Sequence, residues 1–190
     1  MMYLACEFGK KGRVKKMKKM ELQLFAVTGK IDRKWMAHLL DASFGGASAQ
    51  WVRLGKYLEE FNVELNPDTE TFKNILGESM FKHNGYEVSS DADPYYAVVG
   101  DALFEKLQEF ADNRTQDDAC KTKSLEVHMW DGTGTTYTAY QQECYVVPTS
   151  YGGDTSGYQI PFTVYYVGER IKGKYDALTK TFTPDEITIE

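Results

Sequence analysis

Three histidines, a loose set of aspartates and several glycine-rich turns are the residues whose types could support chemistry in this chain. His38, His83 and His128 lie far apart, and none has a partner at the short spacing that zinc ligands require. His128 falls on the polar side of an alternating run, which reads as a solvated histidine. Asp91, Asp93 and Asp101 are close in sequence but lack the central glycine and terminal glutamate of a calcium loop. Gly132-Thr133-Gly134 is part of a dinucleotide fingerprint, yet it misses the third glycine and sits between two strand-like runs. Ser48 and Ser156 occupy glycine-rich loops without the strand-to-helix elbow that activates a serine nucleophile. Glu59 and Glu60 would point to opposite faces of a strand and cannot serve one reaction. Cys6, Cys120 and Cys144 show neither metal spacing nor an even framework, so reduced thiols are expected. No catalytic residue, metal ligand or cofactor is expected, and the chain reads as a non-enzyme.

The composition fits one folded domain. The 190 residues are 42% hydrophobic and 14% aromatic, enough for a core and too much for a disordered chain. Thirteen tyrosines favour half-buried sheet faces and protein interfaces, because the ring is apolar and the hydroxyl can stay wet. Charge is unevenly spread. Seven basic residues crowd into Lys10–Lys19, whereas residues 17–190 hold 17 basic and 27 acidic groups, a net charge of −10. That acidity argues against a surface that grips nucleic acid. Residues 1–16 differ enough from the rest to read as a non-native or disordered basic extension, with Met17 as the expected natural start. Their apolar residues precede the basic run, the reverse of a secretory signal, and no apolar stretch is long enough for a membrane-spanning helix.

The elements that would position these residues are mostly strands. Glu21–Val27 alternates and reads as an arm or first strand within an arm over about 17–32, and Arg33–Asp41 fits a short helix or a strand. Phe44–Gln50 reads as a flexible loop and Trp51–Leu54 as a short strand. Tyr57–Leu65 alternates, with Phe61, Val63 and Leu65 on one side and Glu60, Asn62 and Glu64 on the other, predicting another strand. Asn66-Pro67-Asp68 predicts a turn, followed by strands over Thr69–Leu76 and Phe81–Val88. One helix is expected over about 101–113, where Leu103, Phe104, Leu107, Phe110 and Ala111 make a stripe. Lys123–Trp130, a turn at Asp131–Gly134 and Tyr137–Val147 form a hairpin; Ile160–Gly168 and Ile171–Tyr175 form the last one, ahead of Thr179–Pro184 and a tail over 185–190. The fold class is mainly β with one α-helix, a β-sandwich or barrel.

Leu58–Glu78, Asp93–Leu107, Asp112-Asn113-Arg114 and Pro148–Lys174, in this order, resemble the major tail tube proteins of tailed bacteriophages, in particular those of siphophages of Gram-positive hosts. Met20–Ala26 (MELQLFA) also looks like the start of many phage structural proteins. The resemblance covers most of residues 17–184 and implies a strand over Lys34–Asp41. It implies a single tail tube domain that forms rings, usually hexameric, stacked into a hollow tube that conducts phage DNA. Its implied partners are copies of itself and the tape measure, tail terminator and distal tail proteins, in a virion whose parts are made in the host cytoplasm. DNA would pass without specific binding, and no membrane is involved. An acidic wall would let a polyanion slide, which makes Glu60, Glu64 and Glu126 candidates for the lumen. Phe44, Gly45 and Gly46 in one loop, and Tyr151, Gly152, Gly153 and Tyr158 in another, are candidates for contacts between subunits or rings. Two further readings share parts of this pattern. One is the inner tube of a contractile tail, phage-like bacteriocin or secretion apparatus. The other is a monomeric β-sandwich that binds glycans on Trp51, Trp130 and tyrosines.

Overall fold

The computed structural model describes residues 29–56, 58 and 60–185. The basic extension 1–16, Met17, most of the arm expected over 17–32 and the tail from residue 186 lie outside the described residues. The strands are β1 (Met36–Asp41), β2 (Trp51–Arg53), β3 (Pro67–Lys73), β4 (Ser79–Tyr86), β5 (Ser89–Ala92), β6 (Lys121–Thr133), β7 (Thr136–Pro148), β8 (Gly152–Asp154), β9 (Gly157–Gln159), β10 (Phe162–Asp176) and β11 (Thr181–Pro184). The helix α1 spans Ala102–Asn113. The described residues are mainly β with one α-helix, and their main sheet curls into a half-barrel.

That sheet has seven antiparallel strands in the order β11-β10-β7-β6-β1-β2, with β5 paired to the start of β10. Register shifts between His128 and Gly132 on β6, and between Val167 and Ile171 on β10, bend and twist the long strands. The curl is visible in the packing. Ala37, Leu39, Leu125, Val127, Ala139 and Tyr175 form one buried cluster, joined by Trp51 from one end strand and Phe182 from the other. A cluster reached from both ends of a sheet requires the sheet to close toward it. Small residues permit that closure: at Gly173 a Cβ would run into the Thr183 carbonyl oxygen and the Phe182 ring.

The opposite face carries the larger core. Leu103, Leu107 and Ala111 from α1 pack with Cys144, Val146, Phe162 and Val164 from β7 and β10. The amphipathic stripe thus finds the apolar ends of the central strands. Asp101 caps the helix, its Oδ1 accepting from the Leu103 amide at 3.1 Å while its Oδ2 accepts from the Tyr95 hydroxyl at 2.6 Å. Arg114 closes the other end in the left-handed conformation, φ 52°. Burial, then the hydrogen bond to Asp101, pushes the Tyr95 phenol well above its ordinary value, so it stays a donor.

Several expectations are corrected. Tyr57–Leu65 is not a strand among its described residues; only Glu64 forms a bridge, to Ser89. Alternation there reflects Phe61 buried in the core and Val63 half-buried, without a ladder to hold them. Asn66 takes φ 41°, and β3 begins at Pro67, since proline is tolerated as the first residue of an edge strand. β3 then ends at Lys73 and not Leu76, because Asn74 starts a turn. β6 runs through Gly132 to Thr133, and the chain reverses after it with Gly134 at φ 66°. The segments over Ile160–Gly168 and Ile171–Tyr175 are one bulged strand, β10, whose partner in the last hairpin is β11. The loop at Ser150–Tyr158 contains a small hairpin, β8–β9. Arg33–Trp35 is a single 3-10 turn leading into the strand expected over Lys34–Asp41.

Candidate functional site

The β3–β4 hairpin is exposed along almost its whole length. Phe72 pairs with Met80 and Thr71 with Phe81 across the hairpin, and the residues of both strands are exposed apart from half-buried Gly85. The apolar side chains sit toward its tip: Ile75 is 103% and Leu76 77% exposed, with Phe72, Met80 and Phe81 behind them. The tip is built. Asn74 Oδ1 accepts from the Leu76 and Glu78 amides, both at 3.0 Å, and its Nδ2 donates to Glu78 Oε2 at 2.7 Å. A side-chain closed turn of this kind holds a fixed shape. It therefore presents Ile75 and Leu76 outward by construction. At its root, Asn66 Nδ2 donates to the Glu87 carbonyl and to Ser89 Oγ, both at 3.1 Å, tying the hairpin to the body.

The two glycine-bearing loops, about a hundred residues apart in sequence, converge on α1. Phe44 is half-buried, its ring edge-on to Phe110 at 4.7 Å. The loop around Gly45 and Gly46 is anchored by Asp41, whose carboxylate accepts from the Ser43 amide at 3.0 Å and the Gln50 amide at 2.8 Å. On the other flank, the Tyr158 hydroxyl donates to Gln108 Oε1 at 2.7 Å, and its ring meets Phe104 edge-on at 6.2 Å. Tyr151 is 51% exposed beneath the Arg114 guanidinium, 5.5 Å from its ring centre. Gly152 and Gly153 lie in β8, where a Cβ on Gly153 would collide with the Gly157 carbonyl. Beside Tyr151, an open groove of about 480 Å³ runs between the end of α1 and the Val147–Tyr151 segment. Its lining is mixed: Phe110, Ala111, Val147 and Pro148 supply apolar surface, and Arg114 is joined by threonine, serine and glutamine side chains.

The three candidate lumen carboxylates stand in different settings. Glu60 is exposed and accepts from Asn62 Nδ2 at 2.5 Å. Glu64 is exposed near the hairpin root, its backbone paired with Ser89. Glu126 is mostly covered: its Oε1 accepts from Arg170 Nη2 at 2.7 Å and faces His128 Nε2 at 2.6 Å. The Arg170 guanidinium lies 4.2 Å from the centre of the Tyr140 ring, a cation–π contact. His128 in turn stacks on Trp130 at 4.4 Å, so it is a packed member of a network and not a solvated histidine. His38, on the same sheet face, is held neutral: burial lowers its pKa to about 4, against the opposing pull of Glu126. Trp51 belongs to the cluster on the other face, which separates it from Trp130.

Among the described residues, no group of three or more His, Cys, Asp or Glu side chains is placed to hold a metal ion. Cys120 and Cys144 are buried free thiols, and burial pushes Cys144 up to about 12. Asp101 caps the helix and Asp91 accepts from Thr163 Oγ1 at 2.6 Å, so these carboxylates hold backbone and strand in place. The sequence reading missed the hairpin tip. Its signal was present as Asn74 followed three residues later by Gly77, a turn pair inside an apparently continuous strand.

No family model and no curated protein matches the sequence. Among solved structures, the fold is similar to a chain of the PVC sheath/tube terminator, from an extracellular contractile injection system in its extended state. The TM-score is 0.47 at 10% identity, covering 77% of this chain and 98% of that one. It is also similar to the tube terminating cap of the anti-feeding prophage, with a TM-score of 0.43 at 11% identity, covering 84% of this chain and 99% of that one. At these values neither likeness bears on what this chain does.

Proposed function

We propose that this chain is a structural subunit that assembles with copies of itself into stacked rings, forming the hollow tail tube of a siphophage-type virion. The observation that carries this reading is the β3–β4 hairpin. An isolated two-stranded hairpin is marginal in water, and this one turns a built apolar tip away from the body of its own subunit. Such a device is stabilised when another molecule covers it. The sequence resemblance to tail tube proteins supplies the kind of molecule: a sister subunit, with tape measure, terminator and distal tail proteins at the ends of the assembly. A contact between two different patches of one subunit is heterologous, and repetition generates a ring or a stack.

The role is structural rather than catalytic. DNA passing through the bore would meet a wall that does not grip it, because like charges repel a polyanion. Glu60 and Glu64 remain the better candidates for that wall, since the charge of Glu126 is offset by Arg170. Negative-stain microscopy of the concentrated full-length protein tests the reading. Stacked rings with a central hole are expected. A chain that stays monomeric at every concentration would overturn it, and rings that close but never stack would exclude a place along the shaft of a tube.

A further inference from the structure

We propose that the Ile75–Leu76 tip of one subunit seats in the groove beside α1 of a second copy. The inference rests on the self-assembly reading and names the surface that would receive the hairpin. The two parts are complementary in three respects. The tip is apolar and outward-facing, and the groove, whose lining is part polar, offers Val147, 40% exposed, and Pro148 as apolar surface beside the buried Phe110 and Ala111. The groove volume of about 480 Å³ lies within the roughly 300–1,000 Å³ of sites that enclose a compact ligand. The charges also match: Arg114 is the charged group on the groove rim, and Glu78 is the acidic group of the tip turn.

Rigidity favours the match as well. The tip is closed by the Asn74 side chain, which accepts two hydrogen bonds and donates one, and the groove is flanked by a capped helix and a paired strand. Closure of the turn lessens the conformational freedom lost at the tip when they meet, although the hairpin as a whole gains stability only once covered. Within one subunit β3 and β4 pack chiefly on each other, making no extensive contact with α1 or β7. The tip and the groove are different patches, so the contact is heterologous and leaves each bound subunit with one free tip and one free groove. Tyr151, exposed at the groove mouth under Arg114, would close over the seated tip as an aromatic anchor.

A cysteine pair tests the geometry on the full-length protein. Leu76→Cys and Val147→Cys are prepared as separate variants, each also carrying Cys6→Ser, and mixed under mild oxidation. A covalent dimer on a non-reducing gel is expected from the mixture and from neither variant alone. A charge exchange gives an independent readout: Arg114→Glu should raise the protein concentration needed for assembly roughly tenfold, the effect of one charged contact. Combining it with Glu78→Arg should restore assembly. If the wild-type chain assembles but the mixture yields no cross-link and the charge exchange no rescue, the groove is not the receptor. If the wild-type chain never assembles, both this inference and the self-assembly reading fall.

Discussion

His38 shows how one buried side chain can tie stability to pH. Burial favours its neutral form and sets its pKa near 4 in the folded chain, against 6.5 for the free group; Arg33, His128 and Arg170 push the same way and Glu126 opposes them. Between these two values the unfolded chain binds a proton that the folded chain does not, so stability falls as pH drops from about 6.5 to about 4 and this contribution then levels off. The loss is on the order of 3 kcal/mol. Replacing His38→Gln should flatten the difference between urea midpoints measured at pH 7 and pH 4.5; an unchanged slope would show that another group controls it. Asp101 makes a different residue-scale prediction. Asp101→Ala removes both the cap on Leu103 and the acceptor for Tyr95, and should cost about 1–2 kcal/mol in a denaturant titration. No loss would mean that the helix is held by its apolar stripe alone.

At the scale of elements, the hairpin and the edge strand β11 should respond in opposite ways. Ile75→Asp with Leu76→Asp alters side chains that contribute little to the subunit core. The melting temperature of the dissociated subunit should therefore barely move, within about 0.5 kcal/mol, while sedimentation shows loss of large assemblies. Gly173→Ala should do the reverse. The added methyl meets Thr183 and Phe182, so β11 is displaced at a cost of about 1–3 kcal/mol, read as a lower denaturation midpoint. A tip variant that assembles normally, or a Gly173 variant of unchanged stability, would contradict the respective role.

For the whole molecule the main electrostatic fact is its acidity, with a net charge of −6 over 190 residues. Subunits of like charge repel, and salt screens that repulsion. Raising ionic strength from about 0.01 M to about 0.15 M shortens the Debye length from about 30 Å to about 8 Å. Light scattering should then detect assembly at a lower protein concentration. The opposite trend would indicate that attraction between unlike charges, and not apolar contact, drives association.

What could be read from the sequence was local. The stripe of α1 and its Asp101 cap are legible because helix periodicity and capping depend on neighbouring residues. The long alternation of β6 and β7 is legible for the same reason. β1 was ambiguous because it is buried on both faces, so its alternation is hidden. Tyr57–Leu65 misled because alternation records which side chains touch a core, whereas a strand also needs a neighbour to bond with. The convergence of Phe44, Tyr151 and Tyr158 on one helix, the exposure of Ile75 and Leu76, and the pairing of Glu126 with Arg170 all depend on contacts between distant segments. Those contacts follow from how a seven-stranded sheet curls and which strands it brings side by side, and only the tertiary structure decides that.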